Sequence, residues 1–294
     1  MRIVVLGGGV VGVTTAYQLQ KDGHDVVVLE RNSEVAAEAS WGNAGMIAPG
    51  HSFVWSSPKA PMILLKSLFL EHQALRFKFS ADPRLYSWSW LFLMECTGEK
   101  ARRNTLLKHR LATYSQTVLK EVVADETIDY NRSERGILYF HRDQQALDRG
   151  VEHMKLLESD GQVIKVLDRD AVVALEPSLV SAKSKIAGGI YCPTDETGES
   201  AKFARALAAK IIVRGGEVHT GATVIGLATD GDSNRAGPNS QRRLQGRRLC
   251  SRPWSRESDS RAQARYSAAD LSDQGLFAYD TYRQPAVAAD NCFR

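Results

Sequence analysis

Residues 1–30, MRIVVLGGGVVGVTTAYQLQKDGHDVVVLE, decide the fold. Residues 2–6 form a short apolar run rich in β-branched side chains, the mark of a buried parallel strand. Gly7, Gly9 and Gly12 follow in the spacing G-x-G-x-x-G. A helical pattern then runs through Val13, Ala16, Tyr17 and Leu19 and stops at Gly23, and a second apolar run, residues 26–29, ends in Glu30. Gly7 permits the tight strand-to-helix turn, Gly9 lets a pyrophosphate approach the backbone, and Gly12 lets helix and strand pack closely. The helix N-terminus offers unpaired N–H groups and partial positive charge. Glu30 stands 18 residues past Gly12, where a carboxylate binds ribose hydroxyls. Strand, glycines, helix and acid together point to a dinucleotide site. The competing reading is a glycine-rich turn in some other α/β fold.

The chain has 294 residues, enough for one large or two ordinary domains, with 43% hydrophobic and 24% charged residues, as in soluble globular proteins. The apolar start is short, broken by glycines and needed as a strand, so it does not read as a signal peptide. No run reaches the ~18 apolar residues of a spanning helix. Cys96, Cys192, Cys250 and Cys292 are scattered, suggesting neither metal site nor disulfide framework and fitting a reducing cytoplasm. The net charge of +4 is concentrated in the tail: residues 233–294 hold eleven Arg, no Lys and six acids, leaving 27 basic and 28 acidic residues in 1–232. A basic surface for nucleic acid has no support in the folded part.

Beyond Glu30 the sequence reads as a helical turn and a long loop in which Ala39, Ser40, Gly42, Ala44 and Gly45 would let backbone approach a flat ring system; an ordinary surface loop is the alternative. Residues 62–122 carry apolar positions at helical spacing. The aromatic group Tyr86, Trp88, Trp90 and Phe92 is assigned to the core, with peripheral membrane contact as the minority reading. RGILYFH (135–141) is a strand, 144–159 a helix ended by Gly161, QVIKVLDRDAVVALEPSL a strand and short helix, and IAGGIYCPTDETGESAKFARALAAKIIVRGG a strand, a loop and an amphipathic helix capped by Gly215 and Gly216. EVHTGATVIGLATD is a hairpin or strand pair. Residues 233–270 lose apolar periodicity and taken at face value are a disordered basic tail.

The loop ASWGNAGMIAPG after the glycine fingerprint, and GGIYCPTDETGESAKFARALA near residue 190, resemble the D-amino-acid oxidase-like superfamily of FAD enzymes and, within it, the small subunits of bacterial D-amino-acid dehydrogenases. The resemblance covers about residues 1–230. It implies that Gly7, Gly8, Gly9, Val10, Val11 and Gly12 hold the FAD pyrophosphate and that Glu30, with Arg31 beside it, takes the adenosine ribose. It places Ser40, Asn43, Ala44, Gly45 and Met46 along the diphosphate and flavin, and Val224 at the adenine through its backbone. Spacing alone supports only the three glycines and Glu30. His51 reads as a polar or exposed residue rather than a covalent flavin attachment, and Cys192 as a packed small residue.

In the resembled family the substrate is a D-amino acid such as D-alanine. The neutral amine gives a hydride from its α-carbon to the flavin, and the imino acid hydrolyses to a 2-oxo acid and ammonia. No dedicated base is required, and no catalytic residue or metal ligand is assigned here. The carboxylate clamp, an Arg or Tyr, comes largely from the family's C-terminal half. Electrons pass to a quinone-type acceptor, which implies a peripheral contact with the inner face of the bacterial membrane for a cytoplasmic protein.

The fold expectation is α/β: a Rossmann-like FAD-binding domain (1–60 and 143–232) with a second, incomplete α+β substrate domain (61–142), and a probable out-of-frame, disordered tail (233–294). The family would continue past residue 232 with a strand of the form A-D-A-Y-V-L-A-L-G and a later segment like L-P-I-Y-P-I-K-G-Y-S-L-T. With a one-base forward shift, QGRRLCSRPW (245–254) can be encoded so that the shifted frame reads KADAYVLALG, and ADLSDQGLFAYDT (269–281) so that it reads PIYPIKGYSLTTP. We read the tail as a shifted frame beginning near codons 230–233. The consequences expected are an open edge on the parallel sheet, exposed apolar surface, and FAD bound weakly or not at all. A glycine- or sarcosine-type amine oxidase, a non-catalytic nucleotide-binding remnant or basic-tailed interaction protein, and an NAD dehydrogenase are the rivals. Reading the coding DNA again across codons 225–240 should show one inserted or deleted base whose correction restores the family segments; an unaltered frame there contradicts the shifted-tail reading.

Overall fold

The computed structural model describes residues 1–67 and 82–224, together with the backbone of 227–230, 233–236 and 248–251. In chain order the elements are β1 (Arg2–Leu6), α1 (Val10–Lys21), β2 (Asp25–Leu29), β3 (Met46–Ile47), α2 (Ala60–Ser67), α3 (Pro83–Glu95) and α4 (Gly98–Glu126). These are followed by β4 (Ile137–His141), α5 (Gln144–Glu158), β5 (Lys165–Asp168), α6 (Arg169–Leu175), β6 (Gly188–Cys192), β7 (Glu196–Thr197), α7 (Ser200–Val213) and β8 (Glu217–His219). Three short strands close the description: β9 (Leu227–Asp230), β10 (Ser233–Ala236) and β11 (Arg248–Ser251). 3-10 segments lie at Pro49–His51, a single turn, and at Pro177–Lys185, nine residues long.

Two compact units emerge. The first gathers residues 1–44, 123–131 and the described residues from 199 onward. Its sheet has the order β11-β1-β2-β8 with every pairing parallel. The β-branched strands are its core: Val4, Val26, Val27 and Val28 are fully buried, each worth about 1.5–3 kcal/mol of removal from water. Val13 and Ala16 of α1 and Ala204, Leu207 and Ile211 of α7 are buried with them. α1 is further tied by the Tyr17 hydroxyl, which donates to Glu126 Oε1 at 2.7 Å. The Arg214 guanidinium also bonds Glu126 and lies 5.3 Å from the Tyr17 ring centroid. Burial, then the hydrogen bond to Glu126, pushes the Tyr17 phenol up to about 12. α7 ends as expected, with Gly215 at φ +87° and the Gly216 N–H donating to Ile211 O.

The second unit holds residues 45–122 and 132–198. Its sheet runs β4-β6-β5, antiparallel throughout, with α5 covering it through Leu147, Met154 and Leu157. This boundary differs from the one expected, which put 143–198 with the dinucleotide domain. The reason is the central place of β6: it pairs β4 on one side and β5 on the other, so 137–192 cannot be divided between domains without cutting a sheet.

Three further expectations are corrected. The group Tyr86, Trp88, Trp90 and Phe92 is not a core cluster: Tyr86 and Trp90 are 53% and 66% exposed, and Leu85 alone in α3 is buried. EVHTGATVIGLATD is not one strand pair: β8 joins β2 in the parallel sheet, while β9 pairs β10. The sheet edge beside β1 is not open, because β11 lies parallel to it with Ile3 opposite Arg248 and Leu6 opposite Ser251. Backbone pairing needs only N–H and C=O groups, so tail residues can fill the place. The segment 269–281 and the predicted helical residues 68–81 lie outside the described residues.

Glu196 is the buried hub of the second unit. Its carboxylate accepts from Arg132 Nε at 2.6 Å, Lys120 Nζ at 2.8 Å and Gln116 Nε2 at 2.9 Å, which fastens α4 to β7. Burial alone would raise its pKa, but the Arg132 and Lys120 bonds outweigh this and hold it below the ordinary 4.5. A depressed folded value means stability that is complete above the unfolded value and is lost as pH falls through the folded one. Glu196→Ala should lower stability by about 3 kcal/mol at pH 7 and flatten the acid limb of the stability–pH curve, read by urea unfolding. A variant as stable as the parent contradicts this.

Candidate dinucleotide site

In the first unit the chain turns from β1 into α1 through residues 7–9. Gly7 sits at φ +102°, and its N–H donates to Leu29 O at 2.8 Å. Gly9 is the N-cap of α1, with extended backbone and no side-chain cap, so the helix N-terminus keeps donors for a ligand. Gly12 is the point of closest packing: a Cβ there would stand 1.9 Å from Gly7 O, so any side chain would break the turn. For Gly7 and Gly12 these are the jobs the spacing assigned.

Gly8 has a job the spacing did not reveal. Its N–H donates to Glu30 Oε2 at 2.6 Å, and a Cβ at Gly8 would come within 3.1 Å of the same carboxylate oxygen. Glu30 is 6% exposed, at the end of β2. Its other oxygen accepts from the backbone N–H and the side-chain amide of Asn32, at 2.8 and 2.7 Å. Asn32 was not singled out, because nothing in sequence marks a second residue aimed back at the acid. A carboxylate offers about four acceptor positions, so Glu30 retains capacity for hydroxyl donors while held in place.

Arg31 turns away from this acid. Its guanidinium forks onto Glu38 Oε1, at 3.1 Å from Nε and 2.5 Å from the terminal nitrogen. Burial would raise the Glu38 carboxyl, but its bonds to Arg31 and Asn32 hold it below the usual range. Ser40 is buried and accepts from the Val10 N–H at 2.9 Å, so it sits on the first turn of α1 with its hydroxyl proton left to donate. Val11, also in that turn, is 48% exposed. Val224 packs with Val4, Val27 and Leu29. Asn43 and Ala44 are exposed at the end of this unit's first segment.

Gly45 and Met46 belong to the second unit, where the two motifs singled out in sequence prove to be each other's partners. The Gly198 N–H donates to Gly45 O at 2.8 Å, and a Cβ on Gly45 would stand 2.2 Å from Gly198 O, at φ +67°. Met46 pairs Thr197 and Ile47 pairs Glu196 in β3–β7. The Gly50 N–H then donates to Asp195 Oδ1 at 3.1 Å. Asp195 is fully buried and also accepts from Gln162 Nε2 at 3.3 Å; Gln162 Oε1 meets His109 Nε2 at 3.2 Å, and His109 Nδ1 meets Asp160 Oδ2 at 2.9 Å. Burial pushes the Asp195 carboxyl above the usual range against these bonds. His109 and Gln162 gave no signal in sequence, since each stands alone among apolar or helical positions. Cys192 is buried among Leu147, Met154, Leu157 and Ile190, and burial, then Asp195, pushes its thiol up to about 12, that of an inert packed residue. His51 is exposed and stacks on Tyr139 with centroids 5.9 Å apart.

Residues 2–256 match the family DAO, described as FAD dependent oxidoreductase. The chain belongs to this family. The match runs further than the 230 or so residues expected and includes the four residues of β11. A D-amino acid dehydrogenase 2 from Mesorhizobium japonicum is 41% identical over 237 residues, 80% of this chain and 57% of that protein. A D-amino acid dehydrogenase from Rhizobium rhizogenes is 41% identical over 235 residues, 80% of this chain and 56% of its own length. The chain thus spans little more than half the length of these relatives. Among solved structures, a glycine oxidase from Bacillus cereus matches with TM-score 0.57 at 18% identity, covering 85% of this chain and 54% of its own. An iminodiacetate oxidase from Chelativorans matches at TM-score 0.58 and 17% identity, with the same coverage. At such identities the likeness speaks for the fold.

Proposed function

We propose that this chain carries the FAD cradle and part of the substrate domain of an enzyme that oxidises D-amino acids, such as D-alanine, to 2-oxo acids and ammonia. The observation that supports it most is 41% identity to D-amino acid dehydrogenases over 80% of the chain. The residues also fit the cofactor. Glu30 is buried and oriented by Gly8 and Asn32, with acceptor capacity left for the ribose hydroxyls. Gly7, Gly8, Gly9, Val10, Val11 and Gly12 would bring backbone close to the pyrophosphate; the N–H groups of Gly7, Gly8 and Val10 are engaged by Leu29, Glu30 and Ser40, so those of Gly9, Val11 and Gly12 at the start of α1, with the Ser40 hydroxyl, are the donors that suit it. Arg31, held by Glu38, would flank the ribose, and Val224 would meet the adenine through its backbone. Asn43, Ala44, Gly45 and Met46 would run along the diphosphate and flavin, the last two fixed by the Gly198 and Thr197 pairings.

FAD, when bound, supplies the two-electron acceptor for the amine. This chain's residues position it and no general base among them is assigned. A quinone-type acceptor would take the electrons onward, which brings the protein to the inner face of the membrane as a peripheral, cytoplasmic partner. No helix among the described residues is long and apolar enough to cross a membrane. A glycine- or sarcosine-type amine oxidase is the second reading, favoured by the glycine oxidase neighbours in fold.

The test is an assay of the chain with its frame restored across codons 230–233. D-alanine-dependent dye reduction without peroxide is expected, whereas oxygen uptake with peroxide release would move the assignment to the amine oxidases. The chain as given should hold FAD weakly and not turn over; stoichiometric, tightly held flavin in this polypeptide would contradict the shifted-tail part of the reading.

A further inference from the structure

The buried line Asp195–Gln162–His109–Asp160 in the second unit has donors and acceptors that can be counted. Gln162 Nε2 faces two oxygens, Thr194 Oγ1 at 3.1 Å and Asp195 Oδ1 at 3.3 Å, so the amide turns its N–H groups toward the second motif loop. Its carbonyl oxygen, Oε1, then faces His109 Nε2 at 3.2 Å. A carbonyl only accepts, so Nε2 must carry a proton. The other ring nitrogen, Nδ1, meets Asp160 Oδ2 at 2.9 Å. Asp160 is also forked by Arg110, and the bonds from Arg110 and then His109 hold its carboxyl below the usual range, so it too only accepts. Nδ1 must therefore carry a proton as well. His109 is 3% exposed, and with a proton on each nitrogen it is a buried cation.

Turning Gln162 over does not relieve this demand. Its N–H would then suit a His109 with one proton, but Oε1 would face Asp195 Oδ1, which already accepts from the Gly50 N–H at 3.1 Å. Two acceptors would meet unless the proton moved to Asp195, and a protonated carboxyl is a weaker acceptor for Gly50 than a carboxylate. Asp195 has little else to lean on: its Oδ2 has no hydrogen-bond partner among the described residues. The titratable groups acting on it are His51 from the 3-10 turn, Tyr139 of β4, Cys192 of β6 and His109 of α4. Burial keeps Tyr139 and Cys192 neutral, and His51 is exposed. Gly50 is held tightly, since a Cβ there would stand 2.7 Å from Asp195 Oδ2 and 2.8 Å from Cys192 Sγ.

We propose that His109, protonated on both nitrogens, is a positioning residue that acts through Gln162 and Asp195 to hold the turn at residues 49–51, and that losing one of these protons as pH rises loosens the Gly50 bond. The turn continues from β3, whose Met46 is read above as lying along the flavin, so the proton on His109 sets the shape of the chain leaving that stretch. This consequence rests on the flavin reading; the proton assignment does not.

The experiment joins imidazole nitrogen NMR of the chain labelled at histidine with hydrogen–deuterium exchange of peptides spanning residue 50, corrected for the intrinsic pH dependence of exchange. At about pH 6 one ring should show slowly exchanging, hydrogen-bonded protons on both nitrogens. Protection at residue 50 should fall about tenfold by about pH 9 while the amides of α5 keep theirs. His109→Gln, whose amide nitrogen can stand where Nε2 stands and donates at every pH, should keep the protection at residue 50 and lose its pH step, a pattern that a merely structural histidine would not give. The readouts on the unmodified chain do not depend on any variant folding, and all are taken without flavin, so their failure is separate from failure of the flavin reading. A parent chain with no doubly protonated buried ring at about pH 6, protection at residue 50 without a step, or a step retained in His109→Gln overturns the proposal.

Discussion

The first unit depends on one close approach: α1 lies against the start of its own turn at Gly12, where no side chain could stand between the helix and Gly7 O. That contact fixes the angle at which α1 leaves β1, and so where its N-terminal donors point. It leaves room for Gly8 to receive the Glu30 carboxylate, and for Ser40 to close over Val10. Strand, helix start and acid are one object held by backbone geometry. A cradle of this kind is pre-organised: the groups a dinucleotide would meet already bear on one another, so little ordering entropy remains to oppose binding.

The second unit solves a related problem by different means. Its two motif loops are not independent signatures but halves of one structure, joined through Gly45 and Gly198, the β3–β7 ladder, and Gly50 on Asp195. A fully buried carboxyl is costly unless hydrogen-bonded. Asp195 Oδ1 takes two such bonds, and the line Asp195–Gln162–His109–Asp160 runs outward from it to an Asp160 that is also gripped by Arg110, while Oδ2 has no hydrogen-bond partner among the described residues. Fixing these loops holds residues 45–51 in one shape.

How much of this was legible in sequence follows from the range of the interactions. The β1–α1–β2 order, the three glycines and Glu30 are local patterns, and each is where the spacing put it. The paired motifs were visible as motifs but not as partners, since their contact joins residues some 150 positions apart. Asn32, Gln162 and His109 act through long-range or back-turning bonds that leave no periodic trace. The exposure of Trp90 was misjudged because an apolar helix looks the same in sequence whether its neighbours are protein or something else. The tail shows both limits. Loss of periodicity predicted disorder, yet backbone pairing brings residues 248–251 alongside β1 whatever their side chains.

The claim that most of this account rests on is that the glycine turn and Glu30 form an FAD site. Its most direct measurement is titration of the purified chain and of Glu30→Ala with FAD, followed by flavin fluorescence, with NAD as competitor. The account predicts weak FAD binding by the parent chain, a further loss of about tenfold in the variant, and no displacement by NAD. FAD affinity unchanged by Glu30→Ala, or NAD displacing the flavin, would contradict it.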